Sequence, residues 1–104
     1  MSSYLFRTVT STGYSFLSQH ERNLMGSLGW SLICVAESKV AQQYIFGKTE
    51  DRWEYKTLVV KPDQEDVILN ELGEESWELV SVVSMVRNSA LFVKLYFKRP
   101  KQNS

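Results

Sequence analysis

The sequence predicts an α+β fold: two β-α-β-β repeats forming a largely antiparallel six-stranded sheet with two helices on one face. Three observations predict it. Four short blocks recur in the same order along the chain, as duplicated units do. Within each copy the pattern switches from the two-residue period of a half-buried strand to the 3.6-residue period of a helix and back. The length of 104 residues suits one ordinary domain. We therefore expect residues 1–104 to form a single domain, with internal repeats at about 3–48 and 52–101. Two independent units of half that size would be marginal.

The first block is Tyr4-Leu5-Phe6-Arg7-Thr8-Val9, which resembles Trp53-Glu54-Tyr55-Lys56-Thr57-Leu58. Both alternate large apolar and polar side chains, as a strand with one buried face does. We expect Tyr4, Phe6, Trp53 and Tyr55 to point inward, and Leu5, Arg7, Val9, Glu54, Lys56 and Leu58 outward. A helix follows near 18–27, where Ser18 and Glu21 have the spacing of a capping box. Leu17, Leu24, Met25 and Leu28 then fall on one face. In the second copy Pro62-Asp63-Gln64-Glu65-Asp66 reads as a helix start, with Asp63 as the cap, and Ile68, Leu69 and Leu72 as the apolar face. Gly26 and Gly73 are expected as the left-handed residues that end the two helices.

Next, Trp30-Ser31-Leu32-Ile33-Cys34-Val35 matches Trp77-Glu78-Leu79-Val80-Ser81-Val82, opening β-branched strands at about 32–35 and 79–86. Tyr44-Ile45-Phe46 matches Leu95-Tyr96-Phe97, within final strands at about 42–46 and 91–98. Glu37-Ser38-Lys39 and Arg87-Asn88-Ser89 supply the turns between them. On the last strand Leu91, Val93, Leu95 and Phe97 should face the helices, and Phe92, Lys94, Tyr96 and Lys98 should face away.

These blocks carry a family resemblance. Trp53-Glu54-Tyr55-Lys56, Leu69-Asn70-Glu71-Leu72-Gly73, Ser76-Trp77-Glu78-Leu79-Val80 and Phe97-Lys98-Arg99 resemble a small bacterial and phage domain of unknown function. Its pattern runs W-E-Y-K, then L-N-x-L-G-x-x-G-W-E-L-V, then F-K-R, here in tandem. The resemblance covers about 52–101. Ser76 stands where the pattern has glycine, and the first copy keeps that glycine as Gly29. The resemblance implies a fold and no catalytic residue.

Composition narrows the function classes. Thirteen aromatic residues, including Trp30, Trp53 and Trp77, are expected to anchor the core, since burying a large apolar side chain contributes about 1.5–3 kcal/mol. Twelve acids balance twelve Lys and Arg, which argues against a generic nucleic-acid or membrane-surface binder. The charges are nevertheless segregated: residues 62–78 carry seven acids and no base, and residues 87–101 five bases and no acid. One cysteine, Cys34, allows no intrachain disulfide. The N-terminal residues lack a signal-peptide pattern, and no apolar run approaches the ~20 residues of a membrane span. We expect a cytoplasmic protein.

Catalytic signatures are sparse. Cys34 sits in an apolar run and reads as a small core hydrophobe. His20, the single histidine, reads as a helix-surface residue, and together they do not make a zinc site. Glu71, Glu74, Glu75 and Glu78 read as a solvated helix end. No phosphate loop or nucleophile elbow is present. We therefore expect no enzyme and no cofactor. The sheet face away from the helices reads as apolar and aromatic with cations interleaved, and a monomer seldom exposes such a face. It suits self-association, a planar anion stacked on Tyr rings with Lys or Arg on phosphate, or a docked protein. The expectation is a homo-oligomeric, non-catalytic phage-type protein that captures a small anionic ligand such as a nucleotide signal. Arg7, Lys56, Arg87, Lys94, Tyr96, Lys98 and Arg99 are its ligand-contacting residues. A protein-interaction module without a small ligand, and a small enzyme without a recognisable motif, are the alternatives.

Overall fold

The computed structural model describes residues 5–12, 17–38 and 40–101. Tyr4 and Lys39, named above in the first strand and the first turn, lie outside them. Along the chain run β1 (Phe6–Thr12), α1 (Gln19–Ser27), β2 (Trp30–Glu37), β3 (Ala41–Lys48), β4 (Trp53–Val60), a 3₁₀ turn (Pro62–Gln64), α2 (Glu65–Glu74), β5 (Glu78–Arg87) and β6 (Ala90–Pro100). The order β-α-β-β occurs twice and all strand pairs are antiparallel. The six strands form two separate three-stranded sheets, β1-β3-β2 and β4-β6-β5, rather than one six-stranded sheet. In each unit the last strand is central, so no edge of one sheet pairs with an edge of the other.

The two units agree in detail. A bulge interrupts β2 at Ile33 and β5 at the matching Val80. Left-handed backbone precedes each repeat tryptophan, at Gly29 (φ 91°) and Ser76 (φ 70°). Sequence reasoning assigns that conformation to Gly26 and Gly73. The helices instead run on past both glycines, and the reversal comes three residues later. At Ser76, where the first unit has Gly29, a residue with a Cβ holds the strained conformation at a cost of about 1–2 kcal/mol.

The capping box at α1 forms as expected: the Ser18 hydroxyl accepts from the Glu21 amide at 3.1 Å and Glu21 turns back to the Ser18 amide. At the other helix Asp63 does not cap. The 3₁₀ turn occupies that position, and no side chain caps the start of α2. Asn88 and Ser89, with φ of 52° and 64°, make the two-residue turn between β5 and β6. Two positive φ values match the twist of the flanking strands.

Two cores result. In the first, Leu32, Val35, Tyr44 and Phe46 on the inner face of the first sheet meet Leu17, Tyr55 and Tyr96. In the second, Ile68, Leu69 and Leu72 of α2 cover Leu58, Val60, Trp77, Val93, Leu95 and Phe97. The helices therefore do not share one face of one sheet. α1 lies mainly against β4 and β2, while α2 covers the opposite face of the second sheet. Trp30 and Trp53 border the first core and Trp77 belongs to the second. The halves stack like successive layers, and Trp30 and Trp77 lie in different surroundings.

This stacking reverses two facings. Lys56 pairs with Phe97 and Leu58 with Leu95, whereas Tyr55 pairs with Lys98 and Thr57 with Tyr96. Trp53 and Tyr55 thus share a face with Lys94, Tyr96 and Lys98, not with Leu95 and Phe97. In β1, Arg7 pairs with Phe46 and Val9 with Tyr44, so Val9 faces the core and Phe6 faces away. Along α1 the expected face divides, with Leu17 and Met25 packed in the first core. Leu24 and Leu28 are exposed, and the buried positions are Arg22 and Gly26.

Candidate functional site

The aromatic and cationic face of the second sheet is the interior seam of the molecule. The edge strand β2 pairs with β3 on one side only, and four of its backbone groups bond side chains of that face. The Tyr55 hydroxyl accepts from the Leu32 amide at 2.9 Å and donates to the Trp30 carbonyl at 2.5 Å. Lys98 donates to the Ser31 hydroxyl at 2.9 Å and the Leu32 carbonyl at 3.2 Å. The Ser81 hydroxyl donates to the Val35 carbonyl at 3.3 Å. Side chains thus do for this edge what a fourth strand would do, since buried backbone groups need partners.

At the centre of the seam lies Arg22, 4% exposed. It donates to the Leu17 carbonyl at 2.7 Å and the Thr57 hydroxyl at 2.6 Å, and stacks 5.4 Å from the centre of the Tyr96 ring. Burial pulls the guanidinium below its ordinary pKa, and the surrounding tyrosines oppose the shift. Burial also pushes the Tyr44 and Tyr55 hydroxyls up to about 12. Lys94, on the same face and 5.1 Å from the Tyr96 ring centre, is lowered chiefly by burial. Each shift disfavours the charged form, as desolvation does.

The structure divides the seven sequence-predicted contact residues among four places. Lys94, Tyr96 and Lys98 lie on the seam, and Tyr96 is 2% exposed, so its ring is no open stacking platform. Lys56 and Arg99 flank Trp77 on the α2 face, 5.2 and 4.2 Å from its ring centre. Arg99 is further held by an ion pair with Glu54 and by the Glu75 carbonyl at 2.9 Å. Arg7 is exposed on β1, and Arg87 at the β5–β6 turn. Glu71, Glu74, Glu75 and Glu78 are all exposed, and no cluster among the described residues could hold a metal ion.

What lies open is an aliphatic strip on the other face of the same sheet. Leu79, Val82, Val86 and Leu91 are 39%, 46%, 73% and 50% exposed. The register Leu79–Phe97, Val82–Leu95 and Val86–Leu91 puts them on the face of the α2 core, with Ser84 between. They continue that core past α2, which has only 10 residues and packs against Leu58, Val60, Val93, Leu95 and Phe97. An open cleft of about 560 Å³ adjoins it at the β2–β5 seam, lined by Val35, Glu37, Ser38, Val82, Val83 and Ser84. Its one charged group is a carboxylate. Sequence reasoning missed this strip because it placed the exposed face on the opposite side of the sheet. The signal was in β5 itself, since a strand with aliphatic side chains on both faces asks for cover on both.

No helix among the described residues is long and apolar enough to cross a membrane. Compared with models of known protein families, with curated proteins and with solved structures, the chain matches none of them.

Proposed function

We propose that the chain is a non-catalytic binding protein that works by protein–protein contact, as a homo-oligomer, with the β5–β6 strip as its working surface. One observation carries this reading: Leu79, Val82, Val86 and Leu91, all at least 39% exposed, lie on one face of one hairpin and extend a buried core. Covering the exposed remainder of each side chain contributes roughly 1 kcal/mol. Four such contributions sum to roughly 4 kcal/mol, the scale of a millimolar contact, which makes association strongly concentration-dependent. Capture of a nucleotide-like anion is the weaker reading. The ring it would stack on is buried, Lys98 is bonded to β2, and Arg99 is paired with Glu54.

Light scattering across a wide concentration range tests the proposal. The mass should rise with concentration, and Val82→Glu should hold it at the monomer value. A wild-type chain that stays monomeric at high concentration overturns it.

A further inference from the structure

The chain contains one worked example of what covers such a strip. By the repeat, Leu79 and Val82 correspond to Leu32 and Val35. Those residues are 0% and 8% exposed, because the Tyr55–Tyr96 face of the next unit lies over them. The helix-side face of one unit thus receives the opposite face of another. In the second unit the receiving face is open beyond α2. In the first unit the opposite face is the outer face of β2 and β3. It carries Ile33, which is 46% exposed, with Cys34, Ala36 and Ile45. Ile45 stands at the repeat position of Tyr96, Gly47 at that of Lys98, and Cys34 at that of Ser81. The polar tips that reach the β2 edge inside the chain have no counterpart at these matched positions, and the polar side chains Thr8, Thr10 and Gln43 share this face. The patch of Ile33, Cys34, Ala36 and Ile45 suits an aliphatic strip, because none of these four side chains carries a strong hydrogen-bonding group to leave unpaired.

We infer that the strip of one copy receives the outer face of the first sheet of a second copy, which repeats between chains the layering seen within one. The inference rests on the proposed self-association and adds its partner surface and direction. The contact is head-to-tail: each chain offers one receiving face and one inserting face, so association extends in rows unless the rotation closes a ring.

Two variants with one blocked face each test it. Val82→Glu disables the receiving face and Ile33→Glu the inserting face, so each alone should run as a monomer by light scattering. Mixed in equal amounts, they should form a 1:1 dimer, twice the monomer mass, that grows no further. Val86→Lys with Ala36→Lys repeats the test at two exposed positions, where folding is insensitive to the side chain. Circular dichroism checks every variant. If the wild type associates and a folded Ile33→Glu or Ala36→Lys associates equally well, strip meets strip and the head-to-tail arrangement is overturned. If folded single variants are monomeric but their mixture stays monomeric too, it is also overturned. A wild type monomeric throughout removes the proposed function along with it.

Discussion

Gly26 and Gly73 occupy the same position in the two repeats, and replacing each with alanine should move stability in opposite directions. In an exposed helix interior this change stabilises by roughly 0.5–1 kcal/mol, because glycine loses more backbone entropy on folding. Gly73 meets that description: nothing lies within 4 Å of the place a Cβ would take. At Gly26 the Cβ would sit 2.9 Å from both the Trp53 carbonyl carbon and a ring carbon of Tyr55, and closer still to the Trp53 oxygen. Backbone of β4 cannot swing aside as a side-chain tip can, so α1 must lift from the strand. Lifting it strains the bond from the Tyr55 amide to Asn23 at 2.8 Å and the Arg22 bond to Thr57. Overpacking alone costs about 1–3 kcal/mol, and weakening those bonds adds about 1 kcal/mol. After the helix-propensity gain the net loss for Gly26→Ala is about 1–3 kcal/mol. Urea titration should show the midpoint falling for Gly26→Ala and rising slightly for Gly73→Ala, at unchanged slope. Shifts of the same sign, or a neutral Gly26→Ala, would refute the claim that α1 is held against β4 at contact distance.

Three further outcomes follow from the seam and the turns. Tyr55→Phe removes the hydroxyl that serves both the Leu32 amide and the Trp30 carbonyl, leaving buried backbone groups unpaired at about 1–3 kcal/mol each; chemical denaturation showing a loss under 1 kcal/mol would contradict the bridge. Tyr44 and Tyr55 titrate near 12 in the folded chain and near 10 when unfolded. The folded state therefore holds protons that the unfolded state releases. Their contribution is complete below about pH 10 and falls as pH rises toward 12, by up to about 3 kcal/mol each. Alkaline unfolding followed by circular dichroism should be shallower in Tyr55→Phe. Ser76→Gly relieves a φ of 70°, and after glycine's own entropy cost should gain about 0.5–1 kcal/mol, read as a Tm rise of a few degrees; an unchanged or lower Tm would count against strain there.

Much of the secondary structure was legible because it follows local rules. The Ser18–Glu21 box, the Ile68–Leu72 face and the alternation in 91–98 involve neighbours in sequence, and each forms as read. The repeat gave the shared strand order. The illegible part is the relation between units. Phe6 and Tyr55 occupy matched positions, yet one faces outward and the other plugs the edge of β2. Parity along a strand says which residues share a face, and not which face is covered. Arg22 escaped notice for a related reason. Its acceptors, Leu17 and Thr57, flank it only once α1 is wedged between the sheets, so no spacing in the sequence marks a buried arginine. The candidate strip was hidden by the same choice of side: Leu79 and Val82 match the buried Leu32 and Val35 in the repeat, yet stay exposed beside the 10-residue α2.

The differences between matched positions have a direction. On the face that packs inside the chain the repeat carries Tyr55, Ser81 and Lys98, each ending in a polar group that reaches the backbone of β2. The matched positions of the outer face hold Phe6, Cys34 and Gly47, none of which carries a side-chain hydroxyl or ammonium. Polar tips are useful against an open strand edge, where amides and carbonyls wait for partners, and costly against an aliphatic surface, where they would be stripped of water unpaired. The inner face is therefore matched to an edge and the outer face to a sheet. The strip lies on the face of β5 and β6, where Val82, Val86 and Leu91 meet a partner with side chains, and not on the open edge of β5. Restoring a polar tip at the outer face by Cys34→Ser should then leave the fold intact and weaken self-association, measured as a higher concentration for the rise in scattered mass. If association instead strengthened, the outer face would be seeking an edge, and the partner surface would have to be a strand rather than the strip.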